Sequence, residues 1–163
     1  KDPKLAEKLH PNDLRRVIRG IEIFEQTGKT KTYYKKMQQK KPPRYNSVKF
    51  AVKRERENLY NRINQRVDFM IEAGLIDEVK YLLDNYNLSK TAKQALGYKE
   101  IIAYFNKKTS LEEAINNIKK RTRHFAKRQL TWLRKEKNLI ELNADKNSPK
   151  EMKKNIINII KEQ

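Results

Sequence analysis

The stretch SLEEAINNIKKRTRHFAKRQLTWLRK, residues 110–135, decides the fold because it predicts one long amphipathic helix. Ser110 and Glu113 have the spacing of a capping box, which marks a helix start. Winding the second part of the stretch at about 100° per residue separates an apolar arc from a cationic arc. The apolar arc holds Thr122, Phe125, Ala126, Gln129, Leu130, Trp132 and Leu133, and the cationic arc holds Arg121, Arg123, Lys127, Arg128, Arg134 and Lys135.

The charge of this helix is one-sided. Between Ala114 and Lys135 there are eight cations and no acid. Like charges one turn apart destabilise a helix, and solvated helix faces usually mix both signs. The pattern therefore favours a surface that holds a negatively charged partner over a merely solvated face.

The composition of the whole chain points the same way. The 163 residues carry 39 lysines and arginines against 20 acids, a net charge of +19, which makes a polyanion the expected partner. No segment is long and apolar enough to span a membrane, and no secretory signal pattern is visible. The lack of cysteine excludes disulfides, zinc knuckles and thiol catalysis, and the two histidines, His10 and His124, are too far apart in sequence to indicate a metal site.

Hydrophobic periodicity predicts a predominantly α-helical fold with one or two strands. A short helix over 2–10 and a longer one capped by Asn12 or Asp13 and ended by Gly28 lead the chain. Residues 29–54 hold ten cations and no acid, and read as a basic linker that Pro42 and Pro43 prevent from continuing a helix.

The remainder of the chain alternates the two predicted strands with further helices. SVKFAVK, residues 47–53, and NLIELNA, residues 138–144, are the strand candidates. Two helices flank Gly74, and Arg62 and Arg66 lie one turn apart beside the apolar stripe of the first. Residues 91–105 read as a helix with Gly97 inside it, which indicates close approach of a backbone or ligand, and 148–163 form a last helix.

Three arginines occupy the first turns of the helix after HPND. Arg15, Arg16 and Arg19 stand at the positive end of the helix dipole, which costs about 0.3 to 1 kcal/mol for each exposed cation. Arginines together with free backbone N–H groups make an anion site. Three solvated arginines are an equal alternative at this point.

Recognisable catalytic motifs are lacking. The four glycines form neither G-x-x-x-x-G-K-[ST] nor G-x-G-x-x-G, so the sequence has no loop that cradles a nucleotide's phosphates. The acid pairs Asp77–Glu78 and Glu112–Glu113 fit ordinary helix-start charge. Composition alone describes a polyanion binder without a visible catalytic centre.

Four ordered motifs go further. HPNDLRRVIRGIEIFEQTGK (10–29), RINQRVDFMIEAGLIDEV (62–79), QALGYKEI (94–101) and RTRHFAKRQLTWLR (121–134) stand in this order along the chain. Together they closely resemble the second half of the bacterial tRNA dimethylallyltransferases, over nearly all of residues 2–142. Each motif alone would pass for a basic helix, and their order makes the resemblance specific.

The resemblance implies a fold: the C-terminal part of an α/β P-loop NTPase-like core plus part of a helical tRNA-binding insertion. The resemblance also implies three regions. Residues 1–46 are a helical segment of or bordering the insertion, and this segment ends in a basic linker. Residues 47–143 supply the strand that completes the core and the helices that line the channel for tRNA and donor, and residues 144–163 form a C-terminal helix. The family begins with a phosphate loop and an aspartate general base that this sequence does not contain. The expectation is therefore no catalytic residue and no metal ligand in this chain, and no activity by the chain alone.

The resemblance also implies the reaction and its partners. Family members transfer a dimethylallyl group from dimethylallyl diphosphate, with Mg²⁺, to N6 of the adenosine 3′ of the anticodon, which is flipped out of its stack. Arg66 and Arg16 match arginines near the donor diphosphate. The positions that match tRNA contacts are Arg15, Arg16, Arg19, Gln94, Gly97, Tyr98, Lys99, Arg123, Lys127, Arg128, Gln129, Thr131, Trp132 and Arg134. The implied partner is the tRNA anticodon stem-loop, with no membrane, for a cytoplasmic monomer.

Several alternatives stay open. A stand-alone basic helical module that binds RNA or DNA without catalysis explains the charge, but it does not explain four motifs in family order; a scaffold at an anionic membrane ranks last. Phe125 and Trp132 lie on the apolar arc and are expected in the core rather than as base-stacking platforms. Tyr98 packs under the Gly97 bend or contacts RNA, and Arg66 pairs with Glu72 or Glu78 if it does not bind the donor.

Overall fold

The computed structural model describes residues 1–40, 42 and 45–162, which form two compact units, Lys1–Ser47 and Val48–Gln163. The first unit contains helices α1 (Pro3–Ala6), α2 (Leu14–Thr27) and α3 (Lys31–Lys40). The second unit contains β1 (Lys49–Lys53), α4 (Arg56–Glu72), α5 (Leu75–Asn85), α6 (Lys90–Lys93), α7 (Tyr98–Phe105), α8 (Leu111–Leu133), β2 (Leu139–Asn143) and α9 (Pro149–Lys161). The predicted class, predominantly helical with one or two strands, is confirmed, and the described residues form two strands.

The first unit departs from the sequence prediction at its start. The helix predicted over 2–10 is a single turn that ends at Ala6. A longer helix is disfavoured here, because the residue before Pro11 avoids the helical conformation. Asp13 stands at the N-cap of α2, but its side chain makes no capping hydrogen bond and instead lies 3.3 Å from the Arg16 guanidinium. Gly28 ends α2 as predicted, with a left-handed φ of 68° that glycine adopts without strain.

The predicted basic linker is partly wrong, because α3 lies inside it. Lysine, glutamine and methionine are good helix formers, so a polar, cationic segment still forms a helix. The Thr30 hydroxyl accepts a hydrogen bond from the Tyr33 N–H at 3.1 Å, which supports the first turn. Helix α3 ends at Lys40, two residues before Pro42. The helix break predicted at Pro43 lies outside the described residues.

The core of the second unit forms where α4, α5, α7 and α8 meet. Its buried members are Val67, Leu75, Val79, Ile101, Ala114 and Ile118. Leu75 and Val79 of α5, and Ala114 and Ile118 of α8, are each four residues apart, so each pair lies on one face of its helix and packs against the others. Gly74, at φ 98°, separates α4 from α5 as predicted.

The two strands pair in parallel, with Lys49 opposite Leu139 and Lys53 opposite Asn143. Asp145, just after β2, accepts hydrogen bonds from the Glu55 N–H at 2.5 Å and from Arg54 at 2.8 Å. These donors hold the pKa of Asp145 below its usual value, because they favour the carboxylate. The end of β2 is thereby fastened to the start of α4.

The last helix, α9, begins with a second complete capping box, in which Ser148 and Glu151 exchange hydrogen bonds with each other's backbone N–H groups. Its apolar residues are only partly covered, and Ile160 is more than half exposed. Across the described part of the chain, every helix is too short or too polar to cross a lipid bilayer.

Candidate nucleic-acid interface

The second half of α8 presents its cations and its largest aromatic residues together. Phe125 is 49% exposed and Trp132 is 62% exposed, so the expectation that both belong to the core is wrong. Trp132 lies eighteen residues, or about five turns, beyond the buried Ala114 and therefore on the same side of α8. That side is covered by packed helices near Ala114 and is open at Trp132.

The segment QALGYK forms a turn rather than the interior of a helix. Helix α6 ends at Lys93 and α7 begins at Tyr98, so the prediction of one helix with Gly97 inside it is wrong. Gly97 is buried with φ 98°, a conformation that a residue with a Cβ atom adopts only with strain. The Gly97 N–H donates a hydrogen bond of 2.9 Å to the Glu100 side chain, which reaches back across the first turn of α7.

This turn and α8 enclose a pocket of about 350 Å³, which we call the turn–helix pocket. It is lined by Gln94, Leu96, Lys99, Glu100, Arg121, His124, Phe125 and Arg128. Three predicted tRNA-binding residues, Gln94, Lys99 and Arg128, are thus brought together from two separate motifs. The Arg128 guanidinium lies 5.5 Å from the centre of the Phe125 ring, within cation–π range.

Other predicted residues of α8 point elsewhere. Arg123 is half-buried and donates a 2.6 Å hydrogen bond to Asn64 of α4, so it ties two helices together instead of facing the pocket. Gln129 and Trp132 line a separate groove of about 440 Å³ with Arg128 and Leu133. The Thr131 hydroxyl donates to the Lys127 carbonyl at 2.9 Å. Lys127 and Arg134 are exposed.

Tyr98 packs against the core, and its hydroxyl donates a hydrogen bond to Glu78. This bond, together with partial burial, raises the pKa of Tyr98, because ionising the phenol would place it against a carboxylate. The contact supports the packing alternative for Tyr98. Glu78, one of the two alternative partners of Arg66, is thus bonded to Tyr98.

The predicted arginines of the first unit are exposed along α2. Arg16 pairs with Asp13, and the Arg19 guanidinium lies 3.1 Å from Glu22. Both pairs are exposed ion pairs between neighbouring turns, which stabilise a helix by a few tenths of a kcal/mol at most. Such pairs leave the cations available to a phosphate.

Helix α4 carries the predicted donor-site arginine on an open groove of about 610 Å³. The groove is lined by Leu59, Arg62, Ile63, Gln65, Arg66 and Phe69. Arg62 and Arg66 both line the groove, as their spacing predicted, and Phe69 in the same lining is 69% exposed. Among the ion pairs of the described residues none involves Arg66, so the alternative that it pairs with Glu72 or Glu78 finds no support.

Comparison with known proteins identifies the family. The family model described as IPP transferase matches residues 1–136. The chain belongs to the IPP transferase family. The tRNA dimethylallyltransferase of Halothermothrix orenii is 64% identical over 139 residues, which are 85% of this chain and 42% of the relative. The IPP transferase chain thus spans about half the length, or less, of such a relative.

Solved structures of the family share the architecture. The full-length tRNA isopentenylpyrophosphate transferase of Bacillus halodurans is 41% identical, with a TM-score of 0.68 over 98% of this chain and 48% of its own. A eukaryotic dimethylallyltransferase acting on tRNA is 29% identical, with a TM-score of 0.80 over 99% of this chain and 44% of its own. The resemblance found from the four motifs is confirmed.

The Mg²⁺ that the family implies finds no cluster of ligands in the described residues. No group of three histidine, cysteine, aspartate or glutamate side chains there is close enough to hold a metal ion. The carboxylates with several contacts, such as Asp145 and Glu100, are already engaged with protein donors or cations. No chemical step is therefore assigned to Mg²⁺ in this IPP transferase chain.

The sequence reasoning missed several residues at the interface. Leu96, Glu100 and His124 line the turn–helix pocket but were not predicted as site residues. Glu100 stands three residues after Gly97, which is the spacing of a helix-start carboxylate, and this signal was available. The contact between Glu100 and α8 had no local signal, since it joins residues 21 positions apart.

Proposed function

We propose that this chain forms part of the tRNA-binding and donor-binding surface of an enzyme that transfers a dimethylallyl group. The donor is dimethylallyl diphosphate, and the acceptor is N6 of the adenosine 3′ of the anticodon. The single observation that carries the proposal is the turn–helix pocket, where two motifs shared with the family meet as one cationic, partly apolar surface. Membership in the IPP transferase family supports the reaction class.

The chemistry of the pocket suits single-stranded RNA. Lys99 and Arg128 supply cations for phosphate oxygens, while the exposed ring of Phe125 offers a face on which an unstacked base rests. RNA loops are recognised by this combination of phosphate contacts and stacking on aromatic or guanidinium planes. Trp132, further along α8, extends the same kind of surface.

The first unit supplies a second group of phosphate contacts in this proposal. Arg15, Arg16 and Arg19 follow one another along the first turns of α2, where the backbone also presents free N–H groups. Arginines and backbone N–H groups are common phosphate contacts, which hold the nucleic-acid backbone in register. The remaining proposed tRNA contacts are Gln94, Gly97, Lys127, Gln129, Thr131 and Arg134. Tyr98 and Arg123 match tRNA contacts by their motifs, but in the structure they bond Glu78 and Asn64.

The α4 groove suits the donor. Arg66 and its neighbour Arg62 offer guanidinium groups to a diphosphate, and Leu59, Ile63 and Phe69 in the same groove are apolar, as a dimethylallyl chain requires. A planar guanidinium binds phosphate oxygens in a bidentate manner and stabilises charge that builds on a leaving diphosphate. Arg16 is the other proposed donor contact, on the basis of its motif.

Binding to RNA as a function of salt tests the proposal. We compare an anticodon stem-loop with an unrelated hairpin of equal length, using the wild type, Arg128→Ala, Arg16→Ala and the control Lys154→Ala on α9. The proposal is supported if the wild type prefers the stem-loop and if Arg128→Ala and Arg16→Ala each weaken its binding by more than the loss of one phosphate contact explains. The loss of one such contact lowers the slope of log affinity against log salt by about 0.7. Equal binding of both hairpins would instead indicate a non-specific nucleic-acid-binding module.

A second experiment tests the assignment of the catalytic base to a part of the enzyme outside this sequence. The chain is incubated with tRNA, dimethylallyl diphosphate and Mg²⁺, and the tRNA is analysed by mass for an added prenyl group. We expect no product, because the described residues offer no carboxylate beside the pocket that is free to remove a proton. Product formation by the chain alone would refute this part of the proposal.

A further inference from the structure

We infer that Glu100 is a positioning residue that fixes the QALGYK turn against α8 and orients Arg121 in the turn–helix pocket. The inference rests on the proposed function, because the surface so positioned is the proposed tRNA-binding surface. In the part of the chain that the structure describes, Glu100 is the only buried charged residue, with 5% exposure. A carboxylate is rarely buried unless its charge is matched.

The two oxygens of Glu100 face two different partners. Oε2 accepts the hydrogen bond from the Gly97 N–H at 2.9 Å, which holds the backbone of the turn. Oε1 lies 3.2 Å from Nη1 of Arg121 but makes no aligned hydrogen bond, so charge attraction rather than a directed bond joins them. One side chain therefore links the turn to the middle of α8.

The linked elements are the two that form the pocket. Arg121 is half exposed, so it neutralises Glu100 with one part of its guanidinium and presents the other part to the pocket. Lys99 and Arg128 complete the cationic lining, and these cations repel one another. A buried carboxylate among them lowers that repulsion and sets the distance between the turn and the helix.

The start of α8 provides a matched control. Glu113 reaches back to the Ser110 N–H at 2.9 Å just as Glu100 reaches back to Gly97, but Glu113 is exposed and has no cationic partner among the ion pairs of the described residues. Glu113→Gln and Glu100→Gln change the net charge equally and keep an oxygen that accepts the backbone bond. Only Glu100→Gln removes the ion pair with Arg121 that links α7 to α8.

The first test measures RNA selectivity at a temperature where every variant is folded. Glu100→Gln adds one positive charge, so we expect it to bind an unrelated hairpin as tightly as the wild type or more tightly. We expect its preference for the anticodon stem-loop to fall by at least about fivefold, while Glu113→Gln keeps that preference. A role limited to fold stability would lower binding of both RNAs in proportion, and that outcome, or unchanged selectivity, would overturn the inference.

The second test needs no RNA and follows hydrogen exchange of the amides of residues 94–99. We expect Glu100→Gln and Arg121→Gln each to accelerate exchange there by about tenfold, and the double variant to add little, since both remove one link. Exchange that Arg121→Gln leaves unchanged would reduce Glu100 to a local helix cap and overturn the inference. A wild type without stem-loop preference would refute the proposed function alone, and the exchange result would still decide the role of Glu100.

Discussion

The two halves of α8 lie on one continuous helix, but the first half packs in the core and the second half is exposed. The first half begins with a complete capping box and buries Ala114 and Ile118 in the core. The second half exposes Phe125 and Trp132 beside the exposed cations Lys127 and Arg128. Lys119, in the first half, pairs with Asp68 at 2.5 Å, whereas Lys127 in the second has no acidic partner among the ion pairs of the described residues. Amphipathicity alone does not reveal which stretch of a helix forms core and which forms a binding surface.

The largest expected effect contrasts core with surface. Ile118→Ala is expected to lower the free energy of unfolding by about 2–5 kcal/mol, because it removes buried contacts and leaves a cavity. Phe125→Ala, on the half-exposed flank, is expected to cost about 1 kcal/mol or less. Urea denaturation followed by circular dichroism measures both. Equal losses would mean that the second half of α8 also belongs to the core.

The next largest effect is expected in the affinity for RNA. Trp132→Ala is expected to weaken binding of the anticodon stem-loop by about 1–3 kcal/mol, the value of one base–aromatic stack, without a change in melting temperature. Trp132→Phe should retain most of the affinity, because a smaller ring still stacks. Fluorescence anisotropy of a labelled stem-loop gives the affinities. A drop in melting temperature with unchanged affinity would return Trp132 to a structural role.

The start of α8 allows a third comparison. Ser110→Ala removes the hydroxyl that accepts the Glu113 N–H at 3.1 Å and is expected to lower stability by about 1 kcal/mol with no effect on RNA affinity. Ser148→Ala removes the same bond from α9, whose apolar face is only partly covered. Thermal unfolding should show the larger shift for Ser110→Ala. A larger shift for Ser148→Ala would show that α9 contributes more to the cooperative core than its burial suggests.

The smallest expected effect is electrostatic. Lys127→Gln should reduce the slope of log affinity for single-stranded RNA against log salt by about 0.7, the value of one phosphate contact. Lys119→Gln is the control, since Lys119 is mostly buried against Asp68 and should leave the slope unchanged. Titrations at several salt concentrations give both slopes. Identical changes would mean that only net charge matters along α8.

Local chemistry predicted much of the fold. The ends of α2 at Gly28 and of α4 near Gly74, the capping box of α8 and both strands followed from residues within a few positions of one another. The predictions that were wrong concern segments whose local signals compete. Residues 29–54 were interpreted as a basic linker that the prolines interrupt, yet the lysines and glutamines before Pro42 are good helix formers, and α3 forms there.

The candidate site was predicted only in part. The four motifs identified Gln94, Lys99 and Arg128, which the fold brings to one pocket. They did not reveal that Arg123 faces α4 and bonds Asn64. Position on a helical wheel gives an angle, but burial depends on which neighbouring helix covers that angle at that height along the axis.

The sequence by itself determined the ends of α2 and α4, the start of α8, the charge of +19 and the family, because caps, turn residues, composition and ordered motifs are properties of short segments or of the whole chain. Only the tertiary structure decided that Phe125 and Trp132 are exposed, that Gly97 lies in a turn, and that Glu100 meets Arg121. These outcomes depend on contacts between residues distant in sequence. The desolvation cost of a charge such as Glu100 is offset by a partner that the fold must bring to it.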